Sequence, residues 1–188
     1  MLESPSRRQT DAPKPVRCQD DFAATYEAYY PRVFAYIYAR VSNVHLTEDL
    51  VSEVFERAYV KLGSLRDADA FTTWLFTIAR NAIISHARKH SRESIVDPDV
   101  IRDLSPSTAS VESEILQREE LAGVARAVRC FPQREQDIIS LKFDAELSNA
   151  QIADIMGITE PNVRVIIFRT LRKLRKVMTA ERAADLGR

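Results

Sequence analysis

Glycine is scarce in this chain, with four residues in 188, and alternating β-branched runs are sparse. Together these argue against a sheet built on tight hairpins and for a nearly all-helical protein. Cysteine is scarcer still. Cys18 and Cys130 lie far apart with no CxxC or Cys/His spacing, so neither a disulfide framework nor a zinc site is indicated. That usage suits a reducing cytoplasm. Cys130 is expected as a small core residue, and Cys18 falls in a tail. No stretch approaches the ~20 apolar residues of a membrane helix. The opening MLESPSRRQTDAPKP has no apolar run, so neither a leader nor membrane insertion is expected. A charge of one sign is also missing. The 27 Lys and Arg balance 27 Asp and Glu, so any nucleic-acid site has to be local. His45, His86 and His90 have no matching Cys or carboxylate constellation, and no nucleophile triad or phosphate loop is present. The reading is of a protein that is not an enzyme and needs no cofactor or metal.

What the chain does have is concentrated between Ser148 and Lys176. Ser148 is a good helix N-cap, and Gln151 three residues on completes a capping box. Ile152, Ile155 and Met156 make an apolar stripe, with Ala153 small enough for close packing. Gly157 sits where the chain must turn sharply. Thr159 then caps a second helix, with Pro161 tolerated in its first turn. Val163, Ile167, Leu171 and Leu174 form the expected inward face. Asn162, Val165, Ile166, Arg169, Lys173 and Lys176 point mainly the other way. Between Glu160 and Lys176 stand six bases, Arg164, Arg169, Arg172, Lys173, Arg175 and Lys176, against one acid, a local charge of +5. Capped helix, Gly turn and capped basic helix together are the sequence form of a helix-turn-helix, whose second helix can enter the DNA major groove. The bland alternative is an amphipathic helix with a solvated basic face.

Upstream, residues 1–20 are polar, with prolines at 5, 13 and 15, and read as a disordered tail. Asp21 to Val41 reads as a helix with Phe22, Tyr26, Tyr29, Val33, Ile37 and Val41 on one face. A second helix is expected from about Glu48 to Leu62, capped by Thr47, with Leu50, Val54, Ala58 and Leu62 inward. A polar loop, Ser64 to Ala70, precedes a third helix from about Phe71 to His90. In that helix Phe71, Leu75, Ile78, Ala82 and Ile83 face inward, and its end is basic. Residues 92–112 read as a linker, with Pro98, Pro106 and the run SPSTAS. From Arg92 to Glu120 eight acids outnumber three bases, a local charge of −5. A helix from about Ser113 to Cys130, a break at Phe131-Pro132 and a helix over Gln133 to Phe143 lead into the helix-turn-helix. The expected fold is therefore all-α: two small helical domains, 21–91 and 113–179, joined by a flexible acidic linker, the second carrying the helix-turn-helix, with a C-terminal tail at 180–188.

Three stretches give this pattern a family likeness. Asp49-Leu-Val-Ser-Glu-Val-Phe55 resembles a DLVQE-type helix, and Phe71-Thr-Thr-Trp-Leu-Phe-Thr-Ile-Ala-Arg-Asn81 resembles an FxxWLxxIAxN helix. Phe131-Pro-Gln-Arg-Glu135, leading into Ser148, resembles an LPxRxR-type module. In that order they resemble the extracytoplasmic-function sigma factors of the sigma-70 family of bacterial RNA polymerase, over Asp21 to about Met178.

That resemblance implies roles. The first domain would be sigma region 2, binding the core polymerase clamp and melting and reading the −10 element. The second would be region 4, reading the −35 element near the polymerase flap. Asp49, Glu53, Phe55 and Arg57 match the clamp-binding helix, although Phe55 reads equally well as core. Ser52 stands where the family commonly has Gln. The −10 site is expected to involve the Ser64 to Ala70 loop, with Ser64 and Asp67, and Arg80 and Asn81. Asn81 can both donate to and accept from a flipped base, and Arg88 and Lys89 suit phosphates. Trp74 is equally plausible as core. The −35 contacts are expected from Asn162, Arg164, Val165, Arg169, Arg172 and Lys173. Val165 and Ile166 replace the Ser and Arg of many relatives, which points to a thymine methyl or to DNA shape rather than hydrogen-bonded readout. Promoter DNA and core polymerase are the implied partners, and an anti-sigma factor covering both faces is a further one.

The linker permits this. Its 21 residues reach ~70 Å at ~3.3 Å each, and one and a half turns of DNA is ~50 Å. A competing reading from another class is a regulator whose helix-turn-helix binds an operator as a dimer. Symmetry discriminates the two. A dimer protects a palindrome without polymerase, whereas a sigma factor needs polymerase and leaves an asymmetric footprint. A third reading is a protein that binds polymerase and no DNA.

Overall fold

Every regular element that the computed structural model describes is helical. It describes residues 22–65, 67–93 and 123–186, with side chains for 22–65, 67–89 and 123–180. The N-terminal tail, nearly all of the linker at 92–112 and the start of the helix expected from Ser113 fall outside that description, whereas the expected C-terminal tail from 180 is helical through Leu186.

Helix α1 (Phe22–Val41) ends at Ser42, which adopts a left-handed φ of 52° and returns its N–H to the Tyr38 carbonyl. Asn43 then opens α2 (Val44–Lys61) in extended geometry, its side chain accepting the Leu46 N–H at 2.9 Å. This corrects the expected cap. Thr47 is buried in the first turn, with its hydroxyl on the Asn43 carbonyl at 2.7 Å. The helix therefore starts a turn earlier, and Glu48 and Asp49 lie past its positive end. Two one-turn 3₁₀ helices, Leu62–Ser64 and Ala68–Ala70, lead into α3 (Phe71–Glu93).

These three helices pack on one another around rings. Tyr36 meets Phe76 edge-on at 5.8 Å, and Tyr29 meets Phe71 at 5.2 Å. The Tyr29 hydroxyl finds Thr72 at 2.7 Å, so its burial leaves no polar atom stranded. Each such large side chain contributes about 1.5–3 kcal/mol through burial. Tyr36 was not among the expected inward residues, and Tyr26, which was, remains 39% exposed at the rim beside Tyr30 and Phe55.

The second module contains residues 123–129 (α4), α5 (Gln133–Phe143), α6 (Asn149–Met156) and α7 (Glu160–Leu186). Its centre is aliphatic: Ile138, Leu141, Leu147, Ile152, Ile155 and Val163. Cys130, expected in the core, is exposed in the turn after α4, because that helix ends before the thiol can be covered. The two modules are packed together, α1 against α5 and α3 against α6, and their buried residues form one continuous cluster.

Candidate nucleic-acid interface

The helix-turn-helix is held by local chemistry. The Ser148 hydroxyl accepts the Gln151 N–H at 3.2 Å, and the Gln151 side chain accepts the Ser148 N–H at 2.9 Å. Two otherwise orphaned donors at the start of α6 are thereby satisfied. Gly157 takes the left-handed φ of 63° that ends α6, and Ile158 returns its N–H to Ala153 at 3.0 Å. The Thr159 carbonyl receives the Val163 N–H at 3.1 Å, and α7 begins. Val163 is fully buried and fixes which side of α7 faces out.

Asn162, Val165, Arg169 and Arg172 follow one another at spacings of three, four and three, and all are exposed. They form a continuous strip on the outer face of α7. Arg164 is exposed beside them and pairs with Glu160 at 2.6 Å. Such an exposed i,i+4 pair contributes about 0.3–0.5 kcal/mol, so Arg164 can be surrendered to another anion at little cost. Lys173 is differently placed. Its ammonium bonds to Glu135 of α5 at 2.7 and 3.0 Å, while Thr170 donates to the same carboxylate at 3.2 Å. The inward face of α7 is thus rotated from the expected one. Thr170 is buried and Leu171 is 39% exposed, because the Thr170 hydroxyl finds an acceptor on α5. Val165 at 44% and Phe168 at 68% exposure add apolar surface to the basic helix.

In the first module Ser64 and Asp67 are exposed in the turns before α3. The Ser64 hydroxyl returns to the Lys61 carbonyl, and Asp67 accepts the Asp69 N–H at 2.9 Å. Asn81 and Arg88, two turns apart, are exposed on one side of α3, with Lys89 next to them. Arg80 is not with them. It is directed at the second module, where its Nε lies 3.4 Å from a carboxylate oxygen of Asp137. Asp137 is 2% exposed and also receives Arg40 at 3.1 Å. Tyr36 has its hydroxyl buried near this group without a hydrogen-bond partner. Burial pushes the Tyr36 phenol well above its ordinary range, and the nearby Asp137 carboxylate adds to that. Sequence reasoning missed this cluster. The available signal was an aspartate sharing the inward stripe of α5 with Ile138 and Leu141.

On α2, Asp49, Glu53 and Arg57 stand a turn apart, and Glu53 is ion-paired to Arg57. Phe55 is not on that face. It is 3% exposed, packed against Phe22 and Tyr26, and is a core residue. Tyr59 and Val60 further along the same helix are exposed. No group of three or more metal-binding side chains occurs among the described residues, and no described helix is long and apolar enough to cross a membrane.

A capped helix-turn-helix with a basic outer strip, beside a three-helix module with polar loops and a cationic helix end, defines a two-module DNA-binding class of transcription protein. The particular family follows from comparison with known proteins. The family model for Sigma-70 region 2 matches residues 25–93, and that for Sigma-70, region 4 matches 127–176. The chain is 30% identical over 151 residues to the ECF RNA polymerase sigma factor SigM of Bacillus subtilis, covering 80% of this chain and 90% of SigM. It is also 30% identical over 166 residues to SigW of the same organism, covering 84% and 89% of the two chains. The fold is shared with the sigma factor RpoE of Bartonella quintana, solved in complex with the anti-sigma factor NepR, at a TM-score of 0.71 and 22% identity over 85% of this chain and 98% of that one. The protein belongs to the sigma-70 family, in its extracytoplasmic-function (ECF) group.

Proposed function

We propose that this sigma factor binds core RNA polymerase through the α2 face of Asp49, Glu53 and Arg57 and directs it to promoters read by both modules. The −10 element is assigned to the first module, with Ser64, Asp67 and Asn81 at the bases and Arg88 and Lys89 on phosphates. The −35 element is assigned to Asn162, Arg164, Val165, Arg169 and Arg172. Lys173 is an auxiliary contact that must first leave Glu135. The observation that carries the reading is the solvent-facing strip on α7 in a chain that also matches region 2. Arginine on such a strip reads guanine or holds phosphate, and Val165 offers apolar contact to a thymine methyl. The protein acts by positioning another enzyme and carries out no chemistry itself. RpoE, which shares its fold, was solved in complex with an anti-sigma factor, and that supports a partner of the same kind here.

The test is in vitro transcription from a pool of promoters, using bacterial core polymerase with and without the protein. Defined start sites that require the protein are expected, with −10 and −35 sequences upstream of them. Binding to a palindromic operator with no need for polymerase would overturn the proposal. Asn81→Ala should lower promoter melting more than polymerase binding, and equal loss of both would count against the −10 assignment.

A further inference from the structure

Arg164 and Lys173 of α7 are both held by acids, but in different ways. Arg164 meets Glu160 of its own helix, and the two side chains are 64% and 40% exposed. Lys173 meets Glu135 of α5, whose side chain is only 20% exposed. Both carboxylate oxygens take part. The Lys173 ammonium donates to Oε1 at 2.7 Å and to Oε2 at 3.0 Å, and the Thr170 hydroxyl donates to Oε2 at 3.2 Å. Thr170 is 1% exposed, so this carboxylate is the acceptor that allows its hydroxyl to be buried. Glu135 also lies in the first turn of α5, where the positive end of the helix dipole favours a carboxylate. It is therefore anchored from both helices. Charge-assisted hydrogen bonds to an anchored carboxylate hold more firmly than an exposed pair on one helix.

The place of this pair matters. Lys173 stands one turn beyond Arg169, at an edge of the outer strip. A free ammonium there would extend the row of cations begun by Arg169 and Arg172. Paired with Glu135 it extends nothing, because the pair is electrically neutral. A lysine is a compact point charge that grips one phosphate much as another. The contact being withheld is thus one that carries no sequence information.

We infer that Glu135 is a specificity-determining residue of the −35 site. It withholds Lys173 from phosphate and, through Thr170, fixes which side of α7 faces out, so that binding rests on the strip. The inference rests on the −35 reading of α7 given above. The exchange that Lys173 must make before it touches DNA is the device itself. A sequence-independent complex can shift until a freed Lys173 meets a phosphate. A matched complex is held in register by its base contacts and gains less. Releasing Lys173 therefore raises affinity for any DNA and narrows the preference for the right one.

The test uses the full chain and two short duplexes. One has mixed sequence, and the other carries the −35 sequence that the transcription assay yields. Binding is followed by fluorescence anisotropy as salt is raised. Glu135→Gln removes the charge and keeps an acceptor for Thr170. It should steepen the slope of log affinity against log salt by about 0.9, the share of one phosphate. Its advantage on the mixed duplex should then grow about 3.5-fold for each fourfold drop in salt. Its preference for the −35 duplex should fall. Joining Glu135→Gln to Lys173→Gln removes the pair at constant net charge and should restore the wild-type slope. That double variant carries the test if the single one melts early by circular dichroism. A slope flattened by about 0.9 in the double variant would place Lys173 on phosphate already and overturn the inference. An unchanged slope in folded Glu135→Gln would do the same, as would an undiminished preference for the −35 duplex. Transcription with core polymerase separates this inference from the function it rests on. Promoter-specific starts with an unchanged Glu135→Gln slope leave the function and remove the withheld charge. A steepened slope on the mixed duplex with no starts leaves the withheld charge and removes the function.

Discussion

The first module fills its centre with rings, Tyr29, Tyr36, Phe55, Phe71 and Phe76, whereas the second buries Ile138, Leu141, Ile152, Ile155 and Val163 and no ring among its described residues. Their arginines differ as well. Arg32, Arg40 and Arg80 of the first module are directed at the second, while Arg164, Arg169 and Arg172 of the second are directed at solvent. The first module is thus held by area and the second by caps and turns. A small aliphatic centre gives less to lose from one truncation, so short helices such as α6 depend on satisfied termini and on one residue with unusual backbone freedom.

Core truncation should bring out the largest contrast. Phe76→Ala removes a fully buried ring that meets Tyr36 edge-on and lies beneath the Arg32 guanidinium. A loss of about 3–5 kcal/mol is expected in denaturant melts. A loss below ~1 kcal/mol would erase the distinction between the modules.

Arg169→Ala takes the other side of the comparison. It should weaken binding to −35 DNA by about 1–3 kcal/mol and leave the melting midpoint unchanged, because the side chain is exposed and has no core role. A matching fall in stability would mean that the outward arginines also hold the fold.

Gly157→Ala is a cleaner probe of the turn. A Cβ there would meet nothing within 4 Å, so the whole penalty is that of the left-handed backbone. It should cost about 1–2 kcal/mol, read as a lower melting midpoint. Full tolerance would show that the helix-turn-helix is not held by its turn.

The smallest effect is expected at Asp144, where α5 ends. Burial holds its carboxyl above the usual range, with a Ser140 hydrogen bond opposing the shift. A raised folded-state value means that ionisation opposes folding. The penalty is absent below the unfolded value and fully present above the folded one. A carboxylate at a helix C-terminus also faces the negative end of the dipole. Asp144→Asn should therefore stabilise by a few tenths of a kcal/mol near neutral pH and have no benefit in acid, measured as the pH dependence of the melting midpoint. A destabilised Asn variant at neutral pH would count against that account.

Most of the fold was legible in the sequence because its signals are local. The Ser148–Gln151 box, the Gly157 turn and the bounds of α5 all follow from residues within a few positions of each other. The cap of α2 was misplaced because Asn43 and Thr47 are both good capping residues, and only tertiary packing buries the second. Thr170 and Leu171 exchanged roles because a hydroxyl can be buried once Glu135 supplies an acceptor, which no periodicity reveals. At the candidate site, exposure of the α7 strip followed from helix geometry. The sequence left Phe55 open between core and contact face, and packing against Phe22 decides it; the redirection of Arg80 was not legible, since it depends on Asp137, distant in sequence.

The strip on α7 mixes arginines with the exposed Val165 and Phe168, and that mixture has a consequence for ionic conditions. Each arginine laid on a phosphate displaces condensed counterions, so its share of the affinity fades as salt rises. A methyl group against Val165 displaces only water and keeps its share. On the proposed −35 reading, promoters rich in thymine at those positions should therefore be held more evenly as salt rises than promoters gripped through the backbone alone.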